Sequence, residues 1–367
     1  MLYPIVLLSC LSGVLPRLVM VHLIFRHGDR SPWKFYPTDP NKSRADWIDG
    51  PGVLTNLGKQ MCFELGQWIR EEFDGFLSEE YKAEEVRVLS DDTDRTIMSA
   101  QSVLAGLFPP KGRQVWHEGF NWQPVPVHSV PREINRWIGE HQPCERIEQL
   151  EKELQESSYM QDTVFGANKD LFAYLSRYSG RNISNVNELA ALYDTLQVDY
   201  IYNKSLPAWT ESVFPGGKFE QLSRLSFTAD TFNDELKRLK AGPFFSELLS
   251  HYNLQERGSA DKLSKVMMYS THDTNLVRIM NSLGVYNNQP PPYASMLIFS
   301  LHKEDDQFKV SISLRNNTNS PPYPLTLPGC DQDCQLKDFR KLTMDVTPDN
   351  WDLECKVISK NNKKKYK

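Results

Sequence analysis

The sequence predicts an α/β protein with a mixed central sheet flanked by helices and a smaller, mainly α-helical insertion. Three observations predict it. Strand-forming runs recur at Leu18-Val-Met-Val-His-Leu-Ile-Phe25, Val86-Arg-Val-Leu89 and Lys265-Val-Met-Met-Tyr-Ser270, and the first is almost continuously apolar, as in a strand covered on both faces. Each run leads through a polar cluster into an apolar-periodic helix. Between the second and third units, residues 116–250 change texture, with Pro-punctuated pieces, Trp122, Trp137 and Trp209, and little strand signal.

Taken in order, the first strand runs straight into Arg26-His-Gly-Asp-Arg-Ser-Pro32. A helix follows, in which Leu57, Met61, Leu65, Trp68 and Ile69 recur at helical spacing. The second strand meets Ser90-Asp-Asp-Thr-Asp-Arg95 and a helix through Met98, Val103 and Leu107 that Pro109-Pro110 stops. Helical runs are expected at Ile147 to Leu154 and Ala229 to Leu239. The third strand leads into Thr271-His-Asp-Thr-Asn275 and a helix through Leu276, Ile279, Met280 and Leu283. Tyr293 to Leu301 and Phe308 to Leu314, separated by Lys303-Glu-Asp-Asp306, read as an antiparallel pair. The layout expected is an α/β catalytic domain from residues 17–115 plus 251–355, a helical cap from 116–250, and a basic tail from 356–367. Residues 1–16 read as a signal peptide or its remnant, although a basic n-region is lacking and the start of a buried strand is the alternative. Arg17 ends that apolar run short of the ~20 residues that a membrane helix needs.

Composition narrows the function. Forty-two basic against 47 acidic residues, a formal charge of −5, leave no global basic field for nucleic acid. A hydrophobic content of 40% and an aromatic content of 11% exclude wholesale disorder. Among six cysteines, loss of Cys10 with a signal leaves five, so at least one thiol stays free. Cys62, at an apolar helical position, is the candidate. Cys330 and Cys334 flank a turn that could close a small disulfide, which leaves Cys144 and Cys355 for each other. Sequons at Asn41, Asn182, Asn203 and Asn316 agree with an oxidising, extracytoplasmic compartment. The eight histidines show neither H-E-x-x-H nor paired metal-ligand spacing, and Walker and G-x-G-x-x-G loops are lacking, so neither a metal nor a cofactor is expected.

The chemistry lies in the three polar clusters. Sites of open α/β sheets form outside the carboxyl ends of the strands, where these clusters bring together His27, His272, Arg26, Arg30, Arg95 and Asp273. Three convergent guanidiniums call for an anion, and their planar forks match phosphate oxygens. A neutral imidazole can attack phosphorus as a nitrogen nucleophile, and a carboxylic acid such as Asp273 can protonate a leaving alkoxide if its pKa is raised, although spacing alone does not settle which carboxylate does so.

These residues also carry a resemblance. Arg26-His-Gly-Asp-Arg-Ser-Pro32 matches the R-H-G-x-R-x-P signature of the histidine acid phosphatases, and His272-Asp273 is similar to their H-D motif. Chance would produce five such fixed positions with a probability on the order of 10⁻⁴. Phe35-Tyr-Pro-Thr-Asp-Pro40, Asp94-Arg-Thr-Ile-Met-Ser-Ala100, Trp122-Gln-Pro-Val-Pro-Val-His128, Pro292-Tyr-Ala-Ser295 and Tyr323-Pro-Leu-Thr-Leu-Pro-Gly-Cys330 extend the likeness, so that the chain resembles the animal prostatic, lysosomal and venom-type enzymes from about residue 18 to Cys355.

The resemblance implies a phosphoglycerate-mutase-like α/β domain of six to seven strands, a smaller α domain and often a homodimer. It implies His27 as the phosphorylated nucleophile, Arg26, Arg30, Arg95 and His272 as phosphate ligands, and Asp273 as proton donor. The substrate would be a phosphate monoester, hydrolysed at acidic pH in a secreted or lysosomal setting. It supports the pairs Cys144–Cys355 and Cys330–Cys334. Three departures stand out. A further disulfide of mammalian relatives is missing, near Gln197/Val198 and Met296. The family's Arg-Ser-Thr-Asp reads Leu89-Ser-Asp-Asp92, so an arginine is lost and Asp91 adds negative charge expected to weaken phosphate affinity. The C-terminal membrane span of the lysosomal type is not found. The enzymatic alternative is a phytase or inositol polyphosphate phosphatase, for which the cap is not visibly basic. The cofactor-independent mutases typically read R-H-G-E. The non-enzymatic alternative is a weakly active secreted binding protein or allergen.

Overall fold

The computed structural model describes residues 16–260, 263–316 and 320–357. The N-terminal apolar run, Cys10 and nearly all of the basic tail lie outside them. The strands, in chain order, are β1 (Arg17–Arg26), β2 (Val86–Asp91), β3 (His128–Val130), β4 (Val266–Thr271), β5 (Met296–Glu304), β6 (Gln307–Arg315), β7 (Tyr323–Pro324) and β8 (Asp333–Gln335). They form one mixed sheet in the order β3-β2-β4-β1-β5-β6-β7, with β8 paired to β6. β1, β2, β3 and β4 run parallel, and β5 and β6 return antiparallel beside β1.

Alternation along β1 explains how both faces are covered. Val21, Leu23 and Phe25 point to one face, where they pack with Cys62, Leu65, Ile69, Val103 and Leu107 from α1 (Asn56–Glu72) and α2 (Asp94–Leu107). Met20 and Ile24 point to the other. There they meet a core that includes Tyr269, Phe299, Phe244, Phe245 and Leu276. The remaining α-helices among the described residues are α3 (Glu145–Gln155), α4 (Lys169–Ser179), α5 (Val186–Ile201), α6 (Gly217–Ala229), α7 (Asp234–Lys240), α8 (Gly242–Glu256), α9 (Asp273–Ser282), α10 (Leu336–Thr343) and α11 (Trp351–Glu354). A separate apolar core joins Leu175 of α4, Leu189, Leu192 and Leu196 of α5, and Phe219 of α6.

Several expectations need correction. The six to seven strands implied by resemblance are eight among the described residues. The stretch 116–250 holds β3, which pairs with β2, and α8 begins inside it and packs on the sheet through Phe244, Phe245 and Leu248. Three residues are too few to give a readable strand pattern. The expected single helix from Ala229 to Leu239 is two, because Asn233 is extended and its side chain accepts the Leu236 N–H, starting α7 afresh. The disulfides Cys144–Cys355 and Cys330–Cys334 are formed. Cys62 is free and buried, and burial pushes its thiol up to about 11. No helix among the described residues is long and apolar enough to cross a membrane.

A carboxylate pair joins the loop after β1 to α5. Asp39 Oδ1 accepts the Asn41 N–H at 2.8 Å, and the Asn41 amide donates to Asp199 Oδ2 at 3.2 Å and to the Ser205 carbonyl at 3.0 Å. The Asn41 side chain is thus buried and committed, which corrects its candidacy for glycosylation; Asn182, Asn203 and Asn316 are exposed. Burial, with Asp39 nearby, raises the Asp199 carboxyl to about 6. The native state then holds a proton that the unfolded chain releases near pH 4, so this group favours folding as pH falls from 6 toward 4, by about 2 kcal/mol. Thermal melts across that range should show the wild type gaining stability relative to Asp199→Asn on acidification. Parallel curves would contradict this account.

Candidate active site

The site grows from the carboxyl ends of β1, β2 and β4. Where β1 stops, the ladder continues one step further, because the His27 N–H donates to the Thr271 carbonyl at 2.9 Å and the Ala294 N–H donates to the His27 carbonyl at 3.1 Å. The next residue must be small. A Cβ on Gly28 would stand 2.2 Å from the Gly58 carbonyl oxygen in the first turn of α1, so the loop and that helix interlock only without a side chain there. The Gly28 N–H donates to Ser99 Oγ of α2 at 3.1 Å. Asp29, buried, accepts hydrogen bonds from Thr55 Oγ1, the cap of α1, and from the Tyr202 hydroxyl beyond α5. The loop that carries His27 is therefore held from three sides.

His27 is 2% exposed. Its Nδ1 lies 2.8 Å from the Gly28 carbonyl oxygen, an acceptor, so Nδ1 is the protonated nitrogen and Nε2 keeps its lone pair. Burial first, and then Arg26, His272, Arg95 and Arg30, hold the ring well below the usual histidine pKa. The imidazole stays neutral into the acid range, which is the state that a nucleophile needs.

The expected cations do surround it, and each is balanced by a carboxylate of the chain. Arg26 is 2.7 Å from Asp273 Oδ2, donates to the Pro291 carbonyl, and lies 4.1 Å over the Tyr293 ring. Arg30 forks onto both oxygens of Asp194, on α5, at 3.1 and 3.0 Å. Arg95, in the first turn of α2, approaches Glu140 at 3.9 Å and His272 Nδ1 at 3.2 Å. His272 caps the start of α9 with its ring 5.4 Å from that of His27.

Asp273 departs from the electrostatics expected of it. Burial raises its pKa, but Arg26, Arg30, His272 and the Thr274 N–H more than offset this, and the net direction is down. Asp91 is paired within the chain. Its carboxylate is 3% exposed and is met by His272 Nε2 at 2.8 Å and the Asn135 amide at 2.8 Å, so its charge is directed into these donors.

With this geometry in view, the sequence can be set beside known proteins. The profile of the histidine phosphatase superfamily (branch 2) matches residues 17–315. The chain belongs to that family. This histidine phosphatase is 38% identical to human prostatic acid phosphatase over 348 residues, covering 94% of this chain and 89% of the relative. It is 38% identical to human lysosomal acid phosphatase, over 92% of this chain and 80% of the relative. Among solved structures, Hafnia alvei phytase in complex with myo-inositol hexakis sulphate aligns with a TM-score of 0.66 at 16% identity, covering 95% of this chain and all of the other; this shows a shared fold.

Sequence reasoning missed Asp194, Tyr293 as a ring under Arg26, Asn135 and Glu140. Of these, only Tyr293 carried a signal, lying within the Pro292-Tyr-Ala-Ser295 likeness. Asp194, Asn135 and Glu140 all fall within residues 116–250, whose pattern announces helices and loops but no chemistry.

Proposed function

We propose that this histidine phosphatase is an acid phosphatase that hydrolyses phosphate monoesters through a phosphohistidine. The observation that carries this reading is a neutral, buried His27 imidazole with a free Nε2 lone pair, ringed by three guanidiniums. Arg26, Arg30, Arg95 and His272 bind the phosphoryl oxygens, and the anion takes over the role that Asp273 and Asp194 fill toward the arginines. Nε2 of His27 attacks phosphorus, the P–O ester bond breaks, and Asp273 gives the leaving oxygen its proton. Water then attacks the phosphohistidine, Asp273 takes its proton, and phosphate and free His27 are released. Substrate charge relieves the hold of Arg26 on the Asp273 carboxyl, so a carboxyl that is ionised in the free site can be protonated in the complex. Because it must carry that proton, the rate falls as pH rises above the acid range.

A secreted or lysosomal setting fits the two disulfides, with glycans at Asn182, Asn203 and Asn316. A homodimer fits the open edge of β3 and the exposed Trp116 and Phe120, and the mass in solution tests it. A panel of aryl phosphates, alkyl phosphates and phytate at acidic pH tests the activity. Turnover of monophosphates with little release from phytate is expected. Preference for phytate would favour an inositol polyphosphate phosphatase, and no turnover of any ester would refute the reading.

A further inference from the structure

Asp91 and Asn135 form a buried pair that the reaction as written does not use. Asn135 is fully buried, and its amide orientation is fixed at both ends: Oδ1 accepts the Ile138 N–H at 3.2 Å, and Nδ2 donates to Asp91 Oδ1 at 2.8 Å. The other oxygen of Asp91 faces His272 Nε2 at 2.8 Å. A carboxylate only accepts and the Arg95 guanidinium on the other side of the ring only donates, so the proton of the His272 ring sits on Nε2. Nδ1 is then the unprotonated nitrogen, and it accepts from Arg95 Nη2 at 3.2 Å. A lone pair in that position can meet a phosphoryl oxygen only when that oxygen bears a proton. The monoanion of a phosphomonoester bears one, whereas the dianion that replaces it above about pH 6 does not.

We infer that Asp91 is a positioning residue: it fixes His272 as a proton acceptor toward the phosphoryl group and so selects the monoanionic form of the substrate. The inference rests on the phosphatase reading above. The ionisable groups facing His272 are Asp91 at the end of β2, Arg95 on α2, His27 after β1, and Asp273 on α9. Only Asp91 faces Nε2. The residue noted in the sequence as added negative charge thereby becomes a source of acid preference, acting through the tautomer it imposes.

Asp91→Asn reverses the pattern. The Asn135 amide nitrogen requires an acceptor, so the new side chain turns its oxygen there and its NH₂ toward His272 Nε2. His272 must then carry its proton on Nδ1, where it donates to a dianion. Equilibrium dialysis of a radiolabelled, non-hydrolysable aryl difluoromethylphosphonate, which like an ester carries one proton as the monoanion and none as the dianion, reads this directly from acidic to neutral pH. Wild-type binding should weaken by up to about tenfold per pH unit as the phosphonate loses its proton. For Asp91→Asn, the loss should shrink to less than about threefold per unit. Parallel slopes in the two proteins, or a flat wild-type profile, would overturn the role of Asp91. Absence of wild-type phosphonate binding at every pH would instead overturn the phosphatase reading. Should Asp91→Asn fail to fold, nitrogen NMR of ¹⁵N-histidine wild type, with His272 assigned by subtracting the His272→Gln spectrum, decides the matter. The Nε2–H tautomer in the free enzyme is expected, and the Nδ1–H tautomer would refute the inference.

Discussion

His27→Ala lowers turnover of an aryl phosphate by roughly 10⁴- to 10⁶-fold, the scale seen when a covalent nucleophile is removed from a site whose binding groups remain. The remaining groups are Arg26, Arg30, Arg95 and His272, and the carboxylate partners of the arginines stay in place because these ion pairs do not involve the imidazole. Phosphate binding should therefore survive the substitution. Steady-state kinetics together with phosphate affinity check this. Turnover within about tenfold of wild type would remove His27 from the chemistry.

Asp273→Asn separates substrates by their leaving groups. For an alkyl phosphate, whose alkoxide leaves only with a proton, the loss should be about 10²- to 10⁴-fold, the usual range for a positioned general acid. For a nitrophenyl phosphate, whose anion leaves unaided, the loss should be under about tenfold. Asn also deprives Arg26 of a partner at 2.7 Å, which affects both substrates equally, so the ratio between them is the quantity to measure. Equal losses would assign Asp273 to holding Arg26 alone. The acid side of stability responds as well. The Asp273 pKa is depressed in the folded state, so its contribution is present above the ordinary aspartate range and fades as pH falls through the depressed value.

The sheet and the three strand-end clusters were legible because each rests on a local rule. β1 is apolar throughout since both its faces are covered, and His27, Arg95 and His272 each follow within a few residues of a strand end, so strand position alone brings them together. Pairing of Cys330 with Cys334 was legible for a similar reason, since the partners are 4 residues apart around a turn. What escaped depends on contacts made across the fold. Asp194 reaches Arg30 over 164 residues, Asn135 reaches Asp91 over 44, and three-residue β3 owes its existence to pairing with β2. The direction of the Asp273 shift was not legible because burial and its neighbours act oppositely, and only the folded positions of those neighbours, Arg26 first among them, decide between them. The pairing of Asp91 escaped for the same reason, since its two donors come from distant segments.

The central claim is a covalent bond between phosphorus and Nε2 of His27. Rapid mixing of the enzyme with a ³²P-labelled aryl phosphate, quenching in alkaline denaturant where phosphohistidine persists, and peptide mapping test it directly. Close to one label per active chain, located on the peptide containing His27 and lost in His27→Ala, is the result expected. Full turnover with no protein-bound label at any mixing time, or label on a different residue that persists in His27→Ala, would contradict it.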